Sequence, residues 1–76
     1  MRILALESGR VVNVEKVPTY GIVVTVEAKR KNIRVKYEIK YCFLDWAGVK
    51  VGDIVSPGQL IGTIPDGHWW EEEEEG

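Results

Sequence analysis

The sequence has very few of the residues from which small domains build disulfides and metal sites. It contains one cysteine, Cys42, and one histidine, His68, among 76 residues. A single cysteine excludes an internal disulfide framework, and one of each residue is too few for a closed zinc site made of His and Cys. A Cys–His nucleophile pair would need these same two residues, and neither lies in a local signature of such enzymes. These absences disfavour most enzyme classes.

Long apolar runs are absent as well. The chain has no stretch of about 18 apolar residues that would span a membrane. The four apolar residues after Arg2 are too few for a secretory signal. We therefore expect no membrane partner and assembly in the cytoplasm, with the final localisation unknown. With 45% apolar and 29% charged residues, the composition is that of one small globular domain.

The charges are unevenly distributed. The formal net charge is −2, but residues 71–75 are five glutamates, and without them ten basic residues face seven acidic ones. Six of the ten basic residues lie between Lys29 and Lys40. The sequence therefore describes a mildly basic domain followed by an acidic tail.

The clearest pattern lies in residues 33–44, where apolar and polar side chains alternate. A period of two predicts a long half-buried strand with its apolar side chains on one face. Those side chains belong to Ile33, Val35, Tyr37, Ile39, Tyr41 and Phe43.

Further strands are predicted along the whole chain. Residues 22–28 are rich in β-branched side chains and form a hairpin with 33–44, with a basic tip between them. The other predicted strands are 9–17, 54–55 and 60–64, separated by turns at Pro18–Gly21, Gly52-Asp53 and Pro57-Gly58. We expect an all-β fold, a small barrel-sandwich hybrid over residues 1–64, with 65–76 as an acidic tail carrying a Trp pair. Trp69 and Trp70 either cap the core or dock on a partner.

Four sequence elements together resemble a known family. They are Gly9-Arg10-Val11-Val12, Tyr20-Gly21 before a β-branched strand, Tyr41-x-x-Leu44, and the double-turn motif of residues 49–62. This series, which covers residues 3–64, resembles the core of the lysostaphin-like zinc endopeptidases that cut peptide cross-links in bacterial cell walls. The double-turn motif is shared with lipoyl and biotinyl carrier domains, whereas the two Tyr elements favour the peptidases. The resemblance implies a barrel-sandwich fold.

The same resemblance implies that the catalytic groups are missing. The family's zinc-ligand His and Asp would precede Gly9, where this sequence has neither residue. A histidine that commonly follows the family's Tyr-Gly strand is replaced here by Ala28, and the catalytic histidine of its Tyr-x-His-Leu element is replaced by Phe43. Of the family's final His-x-His pair, this sequence retains one histidine, His68. Since a catalytic zinc needs about three protein ligands, we expect no enzymatic activity, no metal and no cofactor. His68 is expected to be a surface histidine and Cys42 an inert, partly buried thiol.

A carrier domain is the first alternative. Val26-Glu27-Ala28-Lys29 is similar to the Glu-Ala-Met-Lys element of biotinyl domains, and Lys29 would be the modified lysine. The flanking methionines are absent, and two further cations follow directly. An attached cofactor would add a discrete increment to the intact mass.

Nucleic-acid binding is the second alternative. The predicted hairpin is basic, but its alternation places Tyr37 and Tyr41 on the face opposite Arg34, Lys36 and Lys40. A stacking platform for bases presents aromatic and cationic groups together. Nucleic acid is therefore a disfavoured partner, and the lysines fit a solvated strand that resists aggregation.

We expect a non-enzymatic structural or interaction module, of the kind found in a phage tail, a virion or a cell-wall complex. The alternatives are a peptidoglycan-binding or hydrolase-regulating domain and the carrier domain described above. The expected partners are proteins, including a second copy of the chain, or a cell-wall polymer. The expected partner-binding residues are Lys29, Arg30, Lys31, Arg34, Trp69 and Trp70.

If the acidic tail contacts the basic hairpin of a neighbouring copy, removal of residues 71–76 will weaken self-association. The loss should be larger at low salt than at high salt, because ionic contacts between exposed groups are screened. Sedimentation equilibrium of the full and truncated chains at two salt concentrations measures it. Equal association of both chains in both salts would contradict the ionic contact.

Overall fold

The chain folds into two small antiparallel sheets. The computed structural model describes residues 1–29 and 36–65. The strands of this part are β1 (Arg2–Leu4), β2 (Gly9–Val17), β3 (Gly21–Lys29), β4 (Lys36–Leu44), β5 (Trp46–Ala47), β6 (Ile54–Val55) and β7 (Leu60–Thr63). One sheet has the order β1-β7-β5 and the other β4-β3-β2-β6. The prediction of an all-β, barrel-sandwich fold is confirmed. The same residues include no helix long and apolar enough to cross a membrane.

Strand β3 lies within the larger sheet and is covered on both faces. Val24 and Val26 are fully buried in the core, and Val23 and Thr25 on the opposite face are buried as well. A strand buried on both sides favours a continuous run of β-branched residues over strict alternation. The sequence of β3 has this character, which explains its position between β4 and β2.

The hydrophobic core draws side chains from both sheets. The small sheet contributes Ile61 of β7, and the large sheet contributes residues of β2, β3, β4 and β6. The phenol oxygen of Tyr41 accepts a hydrogen bond from the Leu6 N–H at 3.1 Å. This bond ties the segment after β1 to the core. The core cluster consists of Ala5, Val11, Val24, Val26, Tyr41, Leu44, Val49, Val55 and Ile61.

A tight turn at residues 50–53 fastens the chain to β2. The Asp53 N–H donates to the Lys50 carbonyl oxygen, and the Asp53 carboxylate accepts from the Lys50 N–H, both at 3.0 Å. Gly52 has φ of +98°, a conformation that glycine adopts without steric cost. Its N–H donates to the Val11 carbonyl oxygen at 2.8 Å, and the Val11 N–H donates to Asp53 at 2.8 Å.

The next turn repeats this arrangement six residues later. Gln59 donates to the Ser56 carbonyl oxygen at 3.0 Å, and its side-chain oxygen accepts from the Ser56 N–H at 3.2 Å. Gly58, with φ of +85°, donates to the Ala5 carbonyl oxygen at 2.9 Å, and the Ala5 N–H donates back to Gln59 at 2.8 Å. The sequences VKVGDIV and VSPGQLI thus form two successive copies of one turn. Together they anchor two buried positions of the N-terminal segment.

Most of the predicted strands and turns are confirmed. The predicted strands 9–17, 22–28, 54–55 and 60–64 agree with β2, β3, β6 and β7 to within one residue at each end. β4 is confirmed from Lys36 onward, and residues 33–35 lie outside the described residues. Sequence reasoning missed β1 and β5. Both are only two or three residues long, and their pairing with β7 rather than any local pattern makes them strands.

One prediction about the long strand is wrong. Cys42 and Phe43 of β4 lie opposite a single residue of β3, Val23, so the strand carries a β-bulge. Phe43 has φ of +64° and its side chain is 60% exposed, while Leu44 is buried instead. Phe43 therefore does not share the buried face with Tyr41, because the extra residue reverses the alternation after the bulge.

Two glycines should respond differently to replacement by alanine. A Cβ at Gly62 would overlap the Trp46 carbonyl oxygen in the neighbouring strand, whereas a Cβ at Gly58 meets no atom within 4 Å. We expect Gly62→Ala to lower the free energy of unfolding by about 3 kcal/mol or more, since the clash is with backbone. Gly58→Ala should cost only about 1–2 kcal/mol, from its positive φ. Urea denaturation measures both values, and equal losses would contradict the close approach of β5 and β7.

Candidate functional site

An open apolar groove of about 610 Å³ lies where the β2–β3 turn meets the bulge of β4. The bulge directs the side chain of Phe43 outward, and the turn brings Tyr20 beside it. The last described residues of the chain complete the walls. The apolar lining consists of Tyr20, Ile22, Phe43, Leu44, Ile64 and Pro65.

The backbone around the groove is held by short local contacts. The Phe43 N–H donates to the Tyr20 carbonyl oxygen at 2.8 Å. Gly21 has φ of +68°, and a Cβ on it would come within 3.0 Å of the Leu44 carbonyl oxygen. Glycine is therefore required at this position, both for its φ and for the close approach of β4.

Two exposed aromatic rings form the most distinctive surface of the groove. The rings of Tyr20 and Phe43 meet edge to face, with centroids 5.6 Å apart and an interplanar angle of 70°. Their side chains are 50% and 60% exposed. Edge-to-face packing fixes both rings while leaving apolar surface open to a ligand.

The groove contains one cationic and one anionic side chain. Lys16 and Asp45 both line it. The carboxylate of Asp45 accepts a hydrogen bond from the Thr63 hydroxyl, and the Asp45 N–H donates to the Thr63 carbonyl oxygen at 2.9 Å. Asp45 is thereby fixed against β7, so the site combines an apolar floor with one charge of each sign.

The described residues do not fit the zinc ion that the family resemblance implies. Within residues 1–29 and 36–65, no group of three or more His, Cys, Asp or Glu side chains lies close enough to hold a metal. Among these residues, the carboxylate that lines the groove is that of Asp45, which is already hydrogen bonded. Phe43 stands where the resemblance places the catalytic histidine, and Ala28 is a buried residue without a ligand atom. No reaction step through a metal follows from this geometry.

Most residues that the sequence predicted for partner binding lie outside the described part of the chain. Lys29 is the last residue of β3 and pairs with Lys36. The described residues end before Trp69, Trp70 and His68, and they also omit Arg30, Lys31 and Arg34. Cys42, one of the two residues of the bulge, is a half-buried free thiol.

The residue that sequence reasoning missed is Tyr20. It formed part of the Tyr-Gly element but was not singled out as a site residue. The sequence signal that could have indicated Tyr20 is its position directly before Gly21, which has positive φ in the structure. In this turn the Tyr20 N–H donates to the Val17 carbonyl oxygen at 3.2 Å. Only the pairing of β3 with β4 shows that this turn meets Phe43.

Comparison with known protein families gives a match. The model of peptidase family M23 matches residues 1–73, nearly the whole chain. No curated protein and no solved structure matches the sequence. The match agrees with the resemblance to lysostaphin-like endopeptidases and with the observed barrel-sandwich. The chain belongs to peptidase family M23.

Proposed function

We propose that the chain is a non-enzymatic interaction module that keeps the peptidase fold without its chemistry. The observation that carries the proposal is Phe43. Its side chain faces the groove at the position where the family resemblance places the catalytic histidine. A phenyl ring can neither transfer a proton nor bind a metal, so this position no longer supports hydrolysis. The groove remains as a surface for binding.

The composition of the groove supports binding over catalysis. Its walls are mainly apolar, and exposed aromatic side chains are common among the residues that anchor partners at interfaces. Tyr20 and Phe43 present their rings together, and among the described residues the carboxylate that lines the groove, Asp45, is hydrogen bonded to Thr63. We therefore assign them the role of apolar anchors, with Lys16 and Asp45 orienting a polar or charged group of the partner.

The partner that we propose is a protein of a larger assembly. By analogy with the family's place at the bacterial wall, this assembly is a phage tail, a virion or a cell-wall complex.

A peptidoglycan-binding or hydrolase-regulating domain is the second candidate. The groove favours it, because Phe43, which the family resemblance aligns with the catalytic histidine, lines the groove. The carrier domain remains the third candidate. The observation in its favour is that Lys29, the lysine that would be modified, is the last residue of β3 and pairs with Lys36 of β4. The intact mass of the protein decides that question independently.

The chain should release no soluble peptide fragments from purified peptidoglycan sacculi, with or without added Zn²⁺. The physical reason is the phenylalanine at position 43. The measurement is the appearance of new amino groups in solution, with an active enzyme of the same family as the positive control. Zinc-dependent release above the buffer background would contradict the non-enzymatic role.

Replacement of the aromatic pair should weaken partner binding without unfolding the chain. We expect Tyr20→Ala and Phe43→Ala each to lower the affinity for the partner, whether sacculi or a structural protein, about tenfold. This is the usual loss when an interface anchor is truncated. Ile54→Ala is the matched control, since Ile54 is 69% exposed and lies on β6, at the far edge of the same sheet.

The binding measurement also separates the two main candidates. Groove-dependent co-sedimentation with bare sacculi would favour the peptidoglycan-binding domain. Groove-dependent capture of a structural protein, without retention on sacculi, is the result expected for the assembly module. Equal losses in Ile54→Ala and in the two aromatic variants would contradict a role for the groove in either case.

A further inference from the structure

The outer edge of β4 has no neighbouring strand in the part of the chain that the structure describes. β4 is the terminal strand of its sheet and pairs with β3 on one side. Residues 36–41 of the described strand, six in all, pair with β3 in regular antiparallel register before the bulge. A free edge of this length presents a row of backbone donors and acceptors that another strand can pair with.

The side chains of this edge divide cleanly between its two faces. Lys36, Glu38 and Lys40 are exposed on the outer face. Ile39 packs against the core on the inner face, and Tyr41 is part of the core itself. Any strand that pairs here must match both the apolar inner face and the charged outer face.

We propose that two copies of the chain pair through this edge, antiparallel, about a two-fold axis at Ile39. In this register Ile39 faces its own copy, and Glu38 of each copy lies opposite Lys40 of the other. Two antiparallel four-stranded sheets then become one continuous sheet of eight strands. The contact is isologous, as expected for a homodimer with closed symmetry.

The faces of the strand exclude half of the possible registers. Directly opposite residues in antiparallel strands have their side chains on the same face of the sheet. A shift by one residue would place Glu38 opposite Ile39 and turn the core face of one copy toward the solvent side of the other. Only registers that keep like faces together remain.

The charges leave two of the remaining registers, with the axis at Ile39 or at Tyr37, in which Glu38 lies opposite Lys40 or Lys36 of the other copy. A two-fold axis at Glu38 would place two glutamates opposite each other, and an axis at Lys40 would place two lysines opposite each other. Like charges directly opposite destabilise a strand pair. Within its own sheet, Glu38 already lies opposite Glu27. A lysine of the second copy on its other side would offset that repulsion.

The charges within the sheet distinguish these two registers. The Lys36 ammonium already lies 3.8 Å from the Glu27 carboxylate of its own sheet. Lys40 instead lies opposite the uncharged Thr25. Lys40 is therefore the lysine that can pair with Glu38 of a second copy without competing with Glu27, which favours the axis at Ile39.

An alternative interpretation is that Lys36 and Lys40 only protect the edge from aggregation. Protection alone would not require the glutamate between them. The outer edge of β2 beyond Val11 is also free among the described residues, but its exposed carboxylate, Glu15, alternates with Asn13 and not with a lysine. Such an edge offers no comparable complementarity to a second copy.

Charge exchange on the full chain tests the pairing. We expect Glu38→Lys and Lys40→Glu each to weaken dimerisation roughly tenfold or more, because two symmetric attractions become repulsions. The double variant E38K/K40E should restore it. Glu15→Lys is the matched control for Glu38→Lys, since it makes the same change of net charge on the competing edge and should leave the dimer unchanged.

Sedimentation equilibrium measures the dimer dissociation constant of each variant. A contact through one strand edge is smaller than a standard interface, so protein concentrations up to about 1 mM are needed. A monomer at that concentration would overturn the proposal. Association that rises in Lys40→Glu, or that the double variant fails to restore, would also overturn it.

Disulfide cross-linking tests the register separately. In a Cys42→Ser background, equal amounts of Glu38→Cys and Lys40→Cys chains are mixed and oxidised under native conditions. We expect the mixed disulfide to form in excess over both homodimers, since these two positions are directly opposite in the proposed pair. An excess of either homodimer, or the same yields in denaturant, would contradict the register.

This proposal does not depend on the proposed function of the groove. Tyr20 and Phe43 lie beyond the end of the straight edge, and the tests change none of the groove residues. A monomeric chain whose aromatic variants lose binding would refute the pairing and leave the interaction module standing. A dimer that binds nothing through the groove would support the pairing and refute the interaction module.

Discussion

The β-bulge at Cys42 and Phe43 is the constraint on which the rest of the structure depends. By placing two residues of β4 opposite Val23, it turns Phe43 outward and returns Leu44 to the core. The outward turn creates the aromatic surface of the groove. The bulge also ends the straight edge of β4, after which the chain crosses into β5 of the second sheet. One extra residue thus positions the groove, the transition between sheets and the limit of the free edge.

The positive φ of Phe43 shows that tertiary contacts maintain this bulge. A bulky residue in the left-handed region is an uncommon and strained conformation. The hydrogen bond to Tyr20 and the edge-to-face ring contact hold it there, and burial of Leu44 stabilises the chain direction that follows. The strain lies at the groove, in the backbone of the residue that stands where the family resemblance places the catalytic histidine.

Much of the fold could be read from the sequence. The β-branched run of β3, the alternation in β4 and the glycines of the two turns each have a local physical cause, and all predicted the observed elements. The edge strands of the small sheet could not be read in this way. β1 and β5 are held by β7 and by the twin turns, through bonds such as Ala5 to Gln59. Of the candidate site, the family resemblance marked Phe43 as the position of the catalytic histidine, but the alternation placed its side chain on the buried face, and neither Phe43 nor Tyr20 was predicted as a binding residue.

The sequence by itself determined the all-β class, the family, and the absence of a histidine at position 43. These follow from residue identity, periodicity and turn chemistry, which act over a few residues. Only the tertiary structure decided which way Phe43 points, because a bulge depends on the register between two strands. It alone placed the Tyr20 turn against β4 and left one edge of β4 with alternating charges and no neighbour in the described chain. Register and adjacency arise from packing between distant segments, and a single sequence carries no local signal for them.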